Sequence, residues 1–102
     1  MKRAELEAYP LGARLDADES PLLQDLRPVF VDLVSTLATL DDSATREQIL
    51  GAFEAAVLRV NEFEEEIETV EREAILGIVY ELGEIVGLET ESQFAEAWRG
   101  DW

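Results

Sequence analysis

Residues 60–73 read VNEFEEEIETVERE, and the reading of this stretch decides the fold. Apolar residues keep helical spacing on both sides of it. From about Ala44, Ile49/Leu50, Phe53, Val57, Val60 and Phe63 form one inner face. Ile67, Val70, Ala74/Ile75, Ile78/Val79, Leu82 and Ile85/Val86 form the next, which Gly87 ends as a left-handed terminator. The period hardly slips between Val60 and Ile67, and no proline or glycine intervenes. Taken literally, residues 44–86 are a single helix about 65 Å long at 1.5 Å per residue. A chain of about 100 residues makes a globule with a radius of gyration of about 13 Å, against which such a rod cannot pack. A tight turn is therefore expected within Asn61–Glu66, where like charges crowd and Asn61 tolerates turn geometry. The continuous rod, packed in a dimer, is the alternative.

Upstream, Ser20-Pro21 is a helix-start signal, with a capping hydroxyl followed by a residue that needs no N–H. Leu22, Leu26, Val29/Phe30, Leu33, Leu37 and Leu40 then recur in steps of three and four. Pro28 lies inside this pattern and removes a backbone hydrogen bond, so a kink or break is expected near Gln24–Arg27. The stripe keeps its phase across Pro28, which favours a kink over a change of direction. Asp41-Asp42-Ser43 ends the segment and offers caps for the next helix. Downstream, Thr90-Glu91-Ser92-Gln93 fits a capping box, with Phe94 and Trp98 on one face beyond it. Residues 1–19 hold two helical turns of KRAELEAY, then Pro10, Gly12 and a polar DADES loop.

The expected architecture is all-α. It is one acidic domain over 1–102, with an N-terminal segment 1–19 that is partly ordered. Three main helices span about 20–40 (kinked near Pro28), 44–62 and 65–86, and a short helix covers about 91–99.

The chain carries 24 acidic and 8 basic residues, a formal net charge of −16, with 47% apolar content. That much apolar residue suits a folded globule and not an acidic tail. The charge repels nucleic acid and anionic membranes and attracts basic proteins. Cysteine and histidine are absent, which removes disulfides, thiol nucleophiles, the commonest general base and the commonest metal ligand. The start lacks the apolar core of a secretory signal, and no uncharged run approaches the ~20 residues of a membrane span. Cytoplasmic residence without membrane contact is the expectation.

No motif for chemistry survives inspection. Carboxylate-bridged di-iron bundles need Glu-x-x-His pairs. The run Asp16-x-Asp18-x-Ser20 puts Pro21 where a calcium loop needs glycine and Arg27 where it needs glutamate. The serines have neither histidine nor lysine at a useful spacing, and no phosphate-binding glycine loop is present. No catalytic residue, metal site or cofactor is therefore expected, and the chain is read as a non-enzyme. Arg99-Gly100-Asp101 spells an adhesion tripeptide, but Gly100 as a helix terminator explains it more simply.

The glutamates are instead read on a helical wheel. With the third helix starting near Glu65, residues Glu66, Thr69, Glu73, Gly77, Tyr80 and Glu84 form one outward acidic stripe with a single exposed aromatic. Residues 62–91 hold eleven acidic residues and one basic residue. Such a run is read either as a solvated face, as most charge runs are, or as a docking face, since a face selected only for solubility would normally mix signs because like charges at i,i+4 repel. Candidate partner-binding residues are Glu62, Glu65, Glu66, Glu73 and Glu84 for charge, with Tyr80 and Trp98 as aromatic anchors. Glu71 falls on the apolar side, where it either lies near the open end of the bundle and reaches water or pairs with an arginine such as Arg59 or Arg46.

Residues 65–75, EEIETVEREAI, with the acidic run before them and the closing Arg99-Gly100-Asp101-Trp102, resemble a family of small bacterial proteins catalogued only as a domain of unknown function. The likeness covers roughly residues 20–102 and implies a helical bacterial cytosolic protein without an assigned activity. The chain departs from it in lacking a clear polar cap before Glu65. Size, helicity and acidity are also similar in type, without a shared motif, to immunity proteins that neutralise nuclease toxins.

These readings converge on an acidic protein, monomer or homodimer, that binds a basic protein, with an immunity protein against a bacterial nuclease-type toxin as the leading form. The alternatives are a nucleic-acid mimic that inhibits a DNA-binding enzyme, with no direct nucleic-acid contact of its own, and a structural helical subunit that oligomerises.

Overall fold

A computed structural model describes residues 2–17, 19–40, 43–89 and 93–102. The described residues form six α-helices and two 3-10 turns, without a strand: α1 (Lys2–Ala8), α2 (Leu11–Asp16), α3 (Pro21–Asp25), α4 (Arg27–Thr39), α5 (Arg46–Asn61), a 3-10 turn (Glu64–Glu66), α6 (Thr69–Ile85) and a C-terminal 3-10 turn (Phe94–Ala97). The radius of gyration is 12.9 Å and the longest principal extent 37 Å. A rod of about 65 Å does not fit within that length, and residues 44–86 form two helices.

Ser20 caps α3 as its spelling predicts, the hydroxyl accepting from Leu23 N at 3.4 Å. The helix is interrupted at one residue, Leu26, which ends α3 and begins α4 while keeping right-handed helical angles. The break thus falls where Pro28 removes its donor, and the apolar stripe continues through Leu26, Phe30, Leu33 and Leu37, all buried.

Helix α5 starts later than expected, at Arg46. Its cap is Thr45, in a reciprocal box with Gln48: Gln48 N donates to Thr45 Oγ1 at 3.1 Å and Thr45 N to Gln48 Oε1 at 2.8 Å. The Asp41-Asp42 part of the expected cap, and residues 90–92 of the expected C-terminal capping box, lie outside the described residues. Helix α6 ends as predicted. Gly87 has φ +91°, Leu88 N donates to Gly83 O at 2.8 Å and Gly87 N to Glu84 O at 3.1 Å, the paired bonds of a Schellman motif.

The architecture differs from a three-helix bundle in its N-terminal part. Helices α1 and α2 place Leu6 and Leu15 in the core with Leu23, Phe30, Phe53, Ile75, Ile78 and Leu82. Burial of each such side chain contributes about 1.5–3 kcal/mol. Helix α1 packs on α4 and α6, and α2 on α3 and α6. Tyr9 Oη donates to Glu81 Oε1 at 2.5 Å, and Arg14 grips both oxygens of the same carboxylate, so α6 is tied to the chain start from outside the core as well. The sequence offered only short, broken turns here, and it is tertiary contact that holds them. The C-terminal segment is a 3-10 turn where an α-helix over 91–99 was expected, entered through Gln93 at φ 47°.

Candidate functional site

The acidic stretch is a junction of three pieces. Helix α5 closes at Asn61 with Glu62 as its C-cap, Glu64–Glu66 make one 3-10 turn, Ile67 is extended, and α6 begins at Thr69 with Glu68 as N-cap. The expected start at Glu65 is therefore four residues early. In its true position the capping residue is a glutamate, and Glu68 N donates to Glu71 Oε1 at 3.1 Å.

The expected arginine partner of Glu71 is also corrected. Arg59 pairs with Asp32 at 2.9 Å, and Glu71 instead accepts from Ser20 Oγ at 2.9 Å. That hydrogen bond, partly opposed by burial and assisted by the Glu68 amide, holds the Glu71 carboxyl below its ordinary value. Glu71 belongs to the fold.

Of the candidate binding residues, Glu62, Glu65, Glu66, Glu73 and Glu84 are exposed. Glu62, Glu65 and Glu66 gather at the junction. Glu73 stands just inside α6, and Glu84 lies eleven residues further on, about 16 Å along the axis. Glu66 is not on α6, so the continuous stripe from Glu66 to Glu84 does not form. Tyr80 is not an exposed anchor. Its ring meets Phe94 edge-on at 5.0 Å between centroids, and its hydroxyl is covered, with no hydrogen-bond partner among the described residues. Burial, then the nearby Glu96 carboxylate, pushes that hydroxyl above its ordinary range. Trp98 is half-buried and tilts against the same Phe94 at 6.2 Å, while Phe53 meets Phe94 at 5.1 Å. Both aromatics serve a cluster centred on Phe94.

The sequence reading missed the C-terminal tail. Asn61, at the end of α5, donates from Nδ2 to Trp98 O at 2.8 Å, and its Oδ1 accepts from Gly100 N at 2.9 Å and Trp102 Nε1 at 2.6 Å. Asp101 N donates to Glu64 Oε2 at 2.8 Å. Trp102 is 5% exposed, with the Arg99 guanidinium 5.5 Å from its ring centroid and paired to Glu96 at 3.1 Å. A Cβ at Gly100 would run into the Glu64 carboxylate, which would have to swing away from Asp101 N. In the adhesion tripeptide Arg99 is engaged, and the glycine serves close approach.

Between this tail, the 3-10 turn and the start of α6 lies a groove of about 510 Å³. Ile67, Val70 and Trp102 supply its apolar lining, and Glu64, Glu68 and Asp101 its carboxylates, with Arg72 among them. Val70 was read as core-facing but is 52% exposed, because α6 starts only at Thr69 and its first turn projects beyond the core. The signal that locates this groove is the terminal tryptophan, an apolar residue in a polar tail.

Among the described residues, no group of three acidic side chains is arranged to hold a metal ion. No described helix is long and apolar enough to cross a membrane. No family model, curated protein or solved structure matches the chain.

Proposed function

We propose that this chain is a non-enzymatic binding protein that neutralises a basic partner, specifically an immunity protein against a bacterial nuclease-type toxin. The observation that carries the reading is where the positive charge goes. Arg14, Arg27, Arg59 and Arg99 each pair with a carboxylate of the same chain, Glu81, Asp16, Asp32 and Glu96. The junction glutamates Glu62, Glu65 and Glu66, with Glu73 beyond them, are exposed and have no such compensation among the described residues. A rigid surface of one sign accelerates encounter with the opposite sign and makes it sensitive to salt. A nuclease presents such a surface where it binds phosphate. The likeness of residues 65–75 to a small bacterial family is part of the same proposal.

The oligomeric-subunit alternative drew its support from a continuous rod over residues 44–86, and the break between α5 and α6 removes that support.

The test is association with the product of a neighbouring gene that ends in a small basic domain. The association rate is expected to fall by about tenfold or more from low to physiological salt. A rate indifferent to salt, or an uninhibited nuclease in the complex, overturns the reading.

A further inference from the structure

The partner's mode of entry can be read from the groove between the α6 start and the C-terminal tail. Two features there are not accounted for by folding. Val70 holds an aliphatic side chain 52% exposed in the first turn of an otherwise acidic helix start, next to half-buried Ile67 and the edge of buried Trp102. Arg72, the one base between residues 62 and 91, lines the same groove and makes no ion pair among the described residues. Glu64, Glu68 and Asp101 complete the lining.

We propose that this groove receives a basic segment of the partner protein, with one aliphatic side chain inserted between flanking lysines or arginines. The aliphatic group lies on Val70 and Ile67. The flanking cations meet Glu68 and Asp101 in charge-assisted hydrogen bonds, and the Arg72 guanidinium donates to carbonyl oxygens of the incoming backbone. A second copy of this chain is a poor occupant, because a net charge of −16 opposes self-association at an acidic mouth. Nucleic acid is excluded by the same sign. The proposal rests on the basic-partner reading above and adds the apolar contact that gives it a fixed register.

Two acetylated, amidated peptides provide the probe: Lys-Arg-Leu-Arg-Lys, and the same peptide with serine in place of leucine. Each is titrated into isotopically labelled protein at low salt and followed by amide and indole NMR signals. The leucine peptide is expected to bind about five- to tenfold more tightly, as burial of an aliphatic side chain implies, and to shift Val70, Arg72 and the Trp102 indole. In Val70→Ser, whose site is exposed and whose fold is checked by circular dichroism, the preference for leucine is expected to vanish while the serine peptide binds as before. Equal affinity for the two peptides, or shifts confined to Glu73–Glu84, overturns the groove and leaves the electrostatic reading standing. Failure of both peptides to bind overturns both.

Discussion

Ser20 and Glu71, 51 residues apart in the chain, join two helix starts through one carboxylate: Ser20 Oγ donates to Glu71 Oε2 at 2.9 Å. The same hydroxyl accepts from Leu23 N at the start of α3, and the other carboxylate oxygen accepts from Glu68 N at the start of α6. Ser20 is 6% exposed, so its hydroxyl has no ready access to water as a substitute. A double-mutant cycle with Ser20→Ala and Glu71→Ala should give a coupling of about 1 kcal/mol, each single change costing about 1–2 kcal/mol. Strictly additive losses in denaturant unfolding would show that the bond contributes nothing.

The same bond has a pH signature. Glu71 is held below its ordinary value of 4.5, mainly by Ser20, so the folded state binds fewer protons at this site than the unfolded chain. Its stabilisation is fully present above the ordinary value and is lost as pH falls through the lower folded one. The stability difference between the native sequence and Glu71→Gln should therefore be constant near neutrality and shrink below about pH 4.5. Comparing the two proteins cancels the general relief of self-repulsion on acidification. A difference that widens toward acid would contradict this assignment.

Helix α6 holds two interior glycines with opposite expectations. At Gly77 an added Cβ meets nothing within 4 Å, so Gly77→Ala should stabilise by about 0.5–1 kcal/mol through lower unfolded-state entropy and better helix propensity. At Gly83 it would lie 3.0 Å from two carbons of the Phe94 ring, which Phe53 and Tyr80 hold in place. Overpacking of about 1–3 kcal/mol should outweigh the propensity gain, and Gly83→Ala should melt lower. Thermal unfolding of the two variants reads the sign directly.

Asn61 supplies three of the tail's hydrogen bonds. Asn61→Ala removes the partners of Trp98 O, Gly100 N and Trp102 Nε1 together. Release of Trp102 from its buried site should shift tryptophan emission to the red, with a loss of about 2–3 kcal/mol in global stability. Trp102→Phe removes only the indole donor and should cost less. Unchanged emission in Asn61→Ala would mean that apolar packing alone seats the tail.

Much of this architecture was legible locally. The three longer helices, the interruption before Pro28 and the stop at Gly87 follow from apolar spacing and from residues with restricted or released backbone angles, information carried within a few neighbouring positions. The Thr45–Gln48 box is equally local, yet the sequence reading placed the caps at Asp41-Asp42-Ser43 and missed it. The α6 start was not legible locally. In a run of seven glutamates over residues 62–73, several are equivalent as N-caps, and no local preference separates Glu65 from Glu68. The choice is made by contacts from distant parts of the chain, Ser20 on Glu71 and Asp101 on Glu64.

The sequence by itself determined an all-α chain, its main breaks, the inward faces of its longer helices and an overwhelming negative charge, because each depends on composition or on period. Only the tertiary structure decided that α1 and α2 complete the core, that the Tyr80 hydroxyl is covered, that Glu71 pairs with Ser20 and not with an arginine, and that Val70 lies open beside Trp102. Each of these depends on a meeting between residues remote in sequence, Tyr9 with Glu81, Ser20 with Glu71, Asn61 with Trp102. Periodicity says which way a side chain turns about its own axis, and it carries no record of what waits on the other side.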